Sequence, residues 1–247
     1  NYKADDFDNF VQLRIEADTH DQSGHYTSRQ RLLEDLGHPR FQPENNMFVA
    51  ERDGSLIGSV SVFLEPEIGR ALLDGLVHPL HRQRGIATRL YDHARRHAHK
   101  TGCEVAQVCI AETNRAAKNL LQRCGFQYIR RFLVMEMKLS ANPLPDITPN
   151  NYTIRQLLPG EEQALTDIQN RSFADAWGFN PNTREEIAYR INLSTCTAED
   201  IMMAYEGDHP IAYCWTRKLM EENAPSEKIK GEIHMLGVDP DFRKQHV

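Results

Sequence analysis

Residues 75–90 read GLVHPLHRQRGIATRL, and the order of residue types in this stretch decides the fold. An apolar run closes on Pro79, basic residues follow, and Gly85 stands just before Ile86, Leu90, Ala94 and Ala98, which recur every four positions. The proline ends a strand, and the recurrence marks one face of an amphipathic helix over 82–100. A helix start exposes unpaired main-chain N–H groups and the positive end of the macrodipole, and a glycine there lets an anion approach closely. With Arg82 and Arg84 beside it, the segment reads as a phosphate cradle that needs no metal. No G-K-[ST] follows and no G-x-G-x-x-G occurs, so the nucleotide P-loop and the dinucleotide fingerprint are both excluded.

Working outward, helical spacing covers 7–17 and 28–36, and strands are expected at 46–51 and 56–64, turned by Asp53 and Gly54. Further strands fall at 71–77 and 104–110. A helix over 114–124 ends on Gly125, with Phe126 as the apolar contact after it, and a last strand is expected over 127–138. The succession implies an α/β fold with a mixed sheet and helices on both faces. Three prolines between 141 and 150 forbid a helix and favour an extended tether. After it the order begins again: VAERDGSLIG at 49–58 returns as MAYEGDHPIA at 203–212, and VHPLHRQRGI at 77–86 returns as VDPDFRKQHV at 238–247. We read a duplicated domain, 1–140 and 151–247 joined by the linker 141–150. The second copy stops where the first copy's long helix begins, so the protein is expected to continue for several tens of residues.

Composition limits the partners. The 247 residues hold 29 Lys and Arg against 35 Asp and Glu, a formal charge of -6, which argues against nucleic acid or an anionic membrane as ligand. No apolar run approaches the ~18 residues of a membrane span. The five cysteines contain no C-x-x-C pair and read as reduced core residues of a cytoplasmic protein. His93 and His97 lie four apart on a helix, but without a nearby third ligand they read as a solvated face, and no metal is expected.

Arg82-Gln83-Arg84-Gly85-Ile86-Ala87 matches the [RQ]-x-x-G-x-[GA] loop of the GNAT N-acetyltransferase superfamily, preceded by a V-x-P at Val77 to Pro79. Asn114, Ala117, Gly125 and Phe126 stand where that family has N-x-x-A and then G-F. The whole chain therefore resembles two tandem GNAT folds, the second incomplete. The resemblance implies acetyl-CoA as co-substrate, its diphosphate on the amides of Arg82 to Ala87 and its pantetheine arm along Leu76 and Val77, with Asn114 as a further cofactor-binding residue. It also implies acetyl transfer to a small-molecule amine by direct attack through a tetrahedral intermediate. A homo-oligomer is compatible with it.

The two copies differ in their expected chemistry. Many family members carry a tyrosine seven residues after the helix asparagine to protonate the leaving sulfur; here that position is Leu121. The strand 71–77 carries one carboxylate, Asp74, as its candidate base. Glu232, six residues before Val238, resembles the strand glutamate that serves as base in tandem relatives, while His246 replaces the cradle glycine of the second copy. The alternative is a noncatalytic acyl-CoA-binding or scaffolding module. The aromatic stretch 177–181 is either acceptor-lining or a packed loop.

Overall fold

The computed structural model describes residues 1–21, 27–138, 152–220 and 229–245. Helices α1 (Phe7–Asp21) and α2 (Arg29–Leu36) and the single turn α3 (Pro43–Asn46) lead into β1 (Met47–Arg52), β2 (Ser55–Glu65) and β3 (Arg70–Val77). Helix α4 (Ile86–Lys100), β4 (Val105–Val108) and α5 (Arg115–Arg123) follow. The strands form one sheet in the order β1-β2-β3-β4. Asp53 and Gly54, both at positive φ, make the tight turn between β1 and β2, as the right-handed twist of a hairpin requires.

Strand alternation assigns the two faces. Val60, Val62, Ala71 and Leu73 point to one side and pack under α4 and α5, against Leu90, Ala94, Ala98 and Leu121. The other side carries Met47 and Leu56 under Phe10, Leu13 and Leu32 of α1 and α2. Strand β3 pairs antiparallel with β2 along its whole length. It pairs parallel with β4 only over Arg70↔Val105 to Leu73↔Val108. Beyond Leu73 the two strands part, and the rest of β3 has an open edge.

The rest of the described chain supplies β5 (Thr153–Gln156), α6 (Glu162–Phe173), α7 (Arg184–Ile191), β6 (Ile201–Glu206), β7 (His209–Met220) and β8 (Ile229–Val238). These strands form a second, fully antiparallel sheet in the order β5-β6-β7-β8. Ile201, Met203, Tyr213 and Trp215 bury its inner face against Leu165 and Ile168 of α6 and Ile187 of α7. Side chains tie the two halves together. The Tyr189 hydroxyl donates to the Glu34 carbonyl at 2.6 Å. Ser194 donates its main-chain N–H to the Glu34 carboxylate at 2.9 Å. Arg40 reaches both the Pro181 carbonyl (3.2 Å) and buried Glu186 (3.1 Å).

Two expectations are corrected. Residues 127–138 form no strand: no described strand pairs with them, and Phe132, Leu133, Val134 and Met135 are exposed. Aromatic and β-branched residues such as Tyr128, Phe132 and Val134 favour an extended backbone, but a strand also needs a partner edge. The histidine pair is not simply a solvated face either. His97 lies within 2.8 Å of the Asn46 side-chain oxygen, and both rings stand edge-on to Phe48. Among the cysteines, Cys103 and Cys196 are buried and Cys109 is exposed. The linker 141–150 and His246 lie outside the described residues.

Candidate functional site

The turn between β3 and α4 is built to leave its amides free. Pro79 opens a short 3-10 turn, capped by the His78 side chain, which accepts from the Leu80 N–H at 3.3 Å. Gln83 (φ 61) and Gly85 (φ 75) are both left-handed, with Arg84 between them. The first helical bond runs from Arg89 N–H to the Gly85 carbonyl at 3.1 Å. Among the described residues the N–H groups of 83 to 88 donate to no main-chain or side-chain acceptor. Such an alternation of backbone conformations at a helix N-terminus forms an anion-binding concavity. A Cβ placed on Gly85 would meet nothing within 4 Å, so the space over the concavity is open.

The two loop arginines divide the work. Arg82 is committed to the protein: its Nε donates to the Val77 carbonyl at 3.0 Å, and its two terminal nitrogens hold Asp21 at 2.6 and 2.8 Å. Those hydrogen bonds hold the Asp21 carboxyl below the usual carboxylate range. Arg82 thus fixes the turn to β3 and α1. Arg84 is exposed and takes no ion pair among the described residues, which leaves its charge available to an anion.

The open edge of β3 begins where the turn ends. His78 N–H bonds the Ile57 carbonyl at 2.9 Å. Because an antiparallel ladder alternates, Leu76 and Asp74, opposite Ser59 and Ser61, also spend their main-chain groups on β2. Gly75 and Val77 turn theirs toward the gap left by β4. Of the two residues expected to line the arm, Val77 therefore offers an N–H and Leu76 does not. Asn114 caps α5, its side chain accepting the Ala117 N–H at 3.0 Å. That bond accounts for the N-x-x-A spacing. Gly125 (φ 88) then ends the helix in a Schellman motif, with Gly125 N–H on the Gln122 carbonyl and Phe126 N–H on the Leu121 carbonyl, both at 3.0 Å.

On the α1 and α2 side of the sheet, between the halves, lies a cavity of about 480 Å3. The first half lines it with Arg14, Asp35, Phe63 and Asp74, and the second with Tyr189, Arg190, Trp215, Arg217 and His234. Asp74 is ion-paired with Arg14. Burial pushes the Asp35 carboxyl up, with Arg31 and Arg14 opposing. Arg190 has no ion pair among the described residues, and burial weakens its hold on its proton. The Nε groups of Arg14 and Arg217 are buried without an acceptor. Unpaired donors on a cavity wall suit a ligand rich in acceptor oxygens. Glu232 does not line the cavity but is paired at 3.0 Å with Arg217, which does. The two candidate bases come from opposite halves, and each is held by an arginine.

His234 is missing from every sequence motif, and burial, followed by the Arg217 charge, depresses its pKa to about 4. The unfolded chain binds that proton near the ordinary histidine value, so between pH ~6.5 and ~4 it takes up a proton that the folded chain refuses. Stability should fall as pH drops through this window. Urea unfolding at pH 7.0 and 5.0 checks it: His234→Gln should show a smaller loss than the parent chain.

The second half repeats the brace of the first. Arg243 Nε donates to the Val238 carbonyl at 3.3 Å, and its terminal nitrogens hold Asp175 at 2.6 and 3.1 Å. Lys244 (φ 62) takes the left-handed position that Gln83 takes in the first half. Asp239 caps the 3-10 turn as His78 does. Trp177, Phe179 and Asn180 lie on a smaller cavity of about 180 Å3 with Phe173 and Met235, and Arg130 stacks 5.1 Å from the Trp177 ring centre.

Residues 9–126, just under half of the chain, match the model of the Acetyltransferase (GNAT) family. A mycothiol acetyltransferase of Sanguibacter keddieii is 26% identical over 180 residues, covering 70% of this chain and 56% of that protein. The chain thus spans just over half the length of such relatives. Among solved structures, a GCN5-related N-acetyltransferase from Sphaerobacter thermophilus superposes with a TM-score of 0.72 at 20% identity. It covers 98% of this chain and 76% of that one. The glucosamine N-acetyltransferase region of a fungal multi-domain GH3 β-N-acetylglucosaminidase gives 0.70 at 15% identity, covering 99% of this chain and 32% of that one. These likenesses establish an α/β GNAT fold with a mixed first sheet beside an antiparallel second one. Among the described residues no helix is long and apolar enough to cross a membrane.

Proposed function

We propose that the chain is part of an acetyl-CoA-dependent N-acetyltransferase that acts on a small-molecule amine. The observation that carries this reading is the run of unpartnered amides at 83 to 88, placed where β3 and β4 separate. The diphosphate would lie on those amides with Arg84 beside it, and the pantetheine arm would pair with the main chain of Val77 and Gly75. A free N–H on that edge can stabilise the oxyanion that develops at the acyl carbon. The inter-half cavity would receive the amine, with Asp74 or, through a water, Glu232 taking its proton.

The repeated arginine brace supports two tandem GNAT units, 1–140 and 151–247, joined by 141–150. The names of the relatives make glucosamine and mycothiol-type amines the first acceptors to try. Calorimetry with coenzyme A and a thiol-release assay over an amine panel test the proposal; binding with turnover is expected. One observation favours a noncatalytic acyl-CoA-binding module instead: Leu121, at the position of the family acid, is buried and has no proton to give. Binding without turnover on any amine would select that reading.

A further inference from the structure

We propose that Tyr91 is the hydrogen-bond donor to the departing thiolate in the first half, approaching from α4 the place that Leu121 leaves without a hydroxyl on α5. The inference rests on the acetyl-CoA reading above. Gly75, like Val77, opens its main chain onto the gap. The position a Cβ would take on Gly75 is hemmed in by the Ser59 carbonyl at 3.2 Å, Val60 Cγ2 at 3.3 Å and the Tyr91 hydroxyl oxygen at 3.4 Å, so the hydroxyl packs directly on this stretch of main chain. The ring is buried and stands edge-on to Phe126, with centres 6.3 Å apart, so the hydroxyl is held in place. Among the described residues the hydroxyl makes no hydrogen bond, and its oxygen is not sealed from solvent, so it can take a ligand as its partner. Asp74 lies one residue away on the opposite face of β3, so base and donor stand on opposite sides of the gap.

The chemistry balances with groups already named. The N–C bond forms, the C–S bond breaks, and the pair of the C–S bond goes to sulfur. The proton leaving nitrogen passes to the Asp74 carboxylate or to water in the cavity. Burial, with the charges of Asp74 on β3 and Cys124 after α5, pushes the Tyr91 hydroxyl up to about 12. An ordinary thiol ionises near 8.5. The weaker acid keeps its proton, so Tyr91 stabilises sulfur as an anion and does not protonate it. Hydrogen bonds to ionised acceptors are roughly twice as strong as neutral ones, so the contact strengthens as the charge develops.

The test uses coenzyme A itself. Ultraviolet titration of the bound thiol should give a pKa about one unit lower in the parent chain than in Tyr91→Phe, roughly tenfold in thiolate fraction. A Gly85→Val sample serves as the blank for coenzyme A bound elsewhere. At pH 6, where the thiol is neutral, both proteins should bind coenzyme A equally. With an accepted amine, kcat of Tyr91→Phe should fall ~10- to 100-fold at unchanged KM. Adding Leu121→Tyr to that variant should return part of the loss, which a merely structural tyrosine would not permit. An unchanged thiol pKa and unchanged kcat, with coenzyme A bound, overturn the role of Tyr91 alone. Absence of coenzyme A binding in the parent chain overturns the cofactor reading as well.

Discussion

Gly85→Val should weaken coenzyme A binding to the first half by at least ~100-fold, about 2.7 kcal/mol, and leave the helices in place. Two effects add. Gly85 sits at φ 75, where a residue with a Cβ pays roughly 1–2 kcal/mol and a β-branched one more. The added methyl groups would stand over the amides of 83 to 88, in the space a diphosphate needs. A Cβ there meets no protein atom within 4 Å, so the fold loses only the conformational cost. Gly85→Ala should fall between the two. Calorimetry measures the affinity and circular dichroism the helix content. Affinity equal to the parent's would mean that the diphosphate binds elsewhere.

That loop was legible because its chemistry is local. Proline, basic residues, glycine and helix start are adjacent in sequence, and the free amides follow from helix geometry alone. The same holds for Asn114 and Gly125, whose roles are bonds within a few residues. Arg82 shows the limit of local reading: its charge suggests an anion, but its partner Asp21 comes from α1, 61 positions away. Leu76 and Val77 differ only by the parity of the ladder, which becomes known once β2 is in register. Asp35, Arg190 and His234 carry no motif because the cavity forms only when two sheets face each other. Tyr91 was within reach, since it follows Leu90 on the buried side of α4, and a tyrosine there invites the question of where its hydroxyl goes. The apolar residues of 127–138 suggest a strand, but composition is silent about the partner edge.

The other large effect is expected at Glu186, where the halves share a buried charge. Its side chain is 4% exposed and lies 3.1 Å from Arg40 Nε of the first half. The same carboxylate accepts the Thr183 N–H at 2.8 Å, while the Thr183 hydroxyl accepts the Glu186 N–H at 3.2 Å, closing a capping box on α7. Glu186 also offsets the charge of Arg190 on the same helix, which burial makes costly. Glu186→Ala therefore removes a cap and the carboxylate that offsets Arg190, and leaves Arg40 with only its 3.5 Å ion pair to Glu67. Breaking a buried pair from one side costs roughly 3–5 kcal/mol. Glu186→Gln keeps an acceptor for the Thr183 N–H and should lose less. Urea unfolding gives the order, parent above Gln above Ala. Because Arg40 and Glu186 belong to different halves, the Ala variant should also loosen the cavity wall. Tyr189, one turn along α7, would lose its grip on the Glu34 carbonyl, and Trp215 fluorescence should shift toward the red before global unfolding begins.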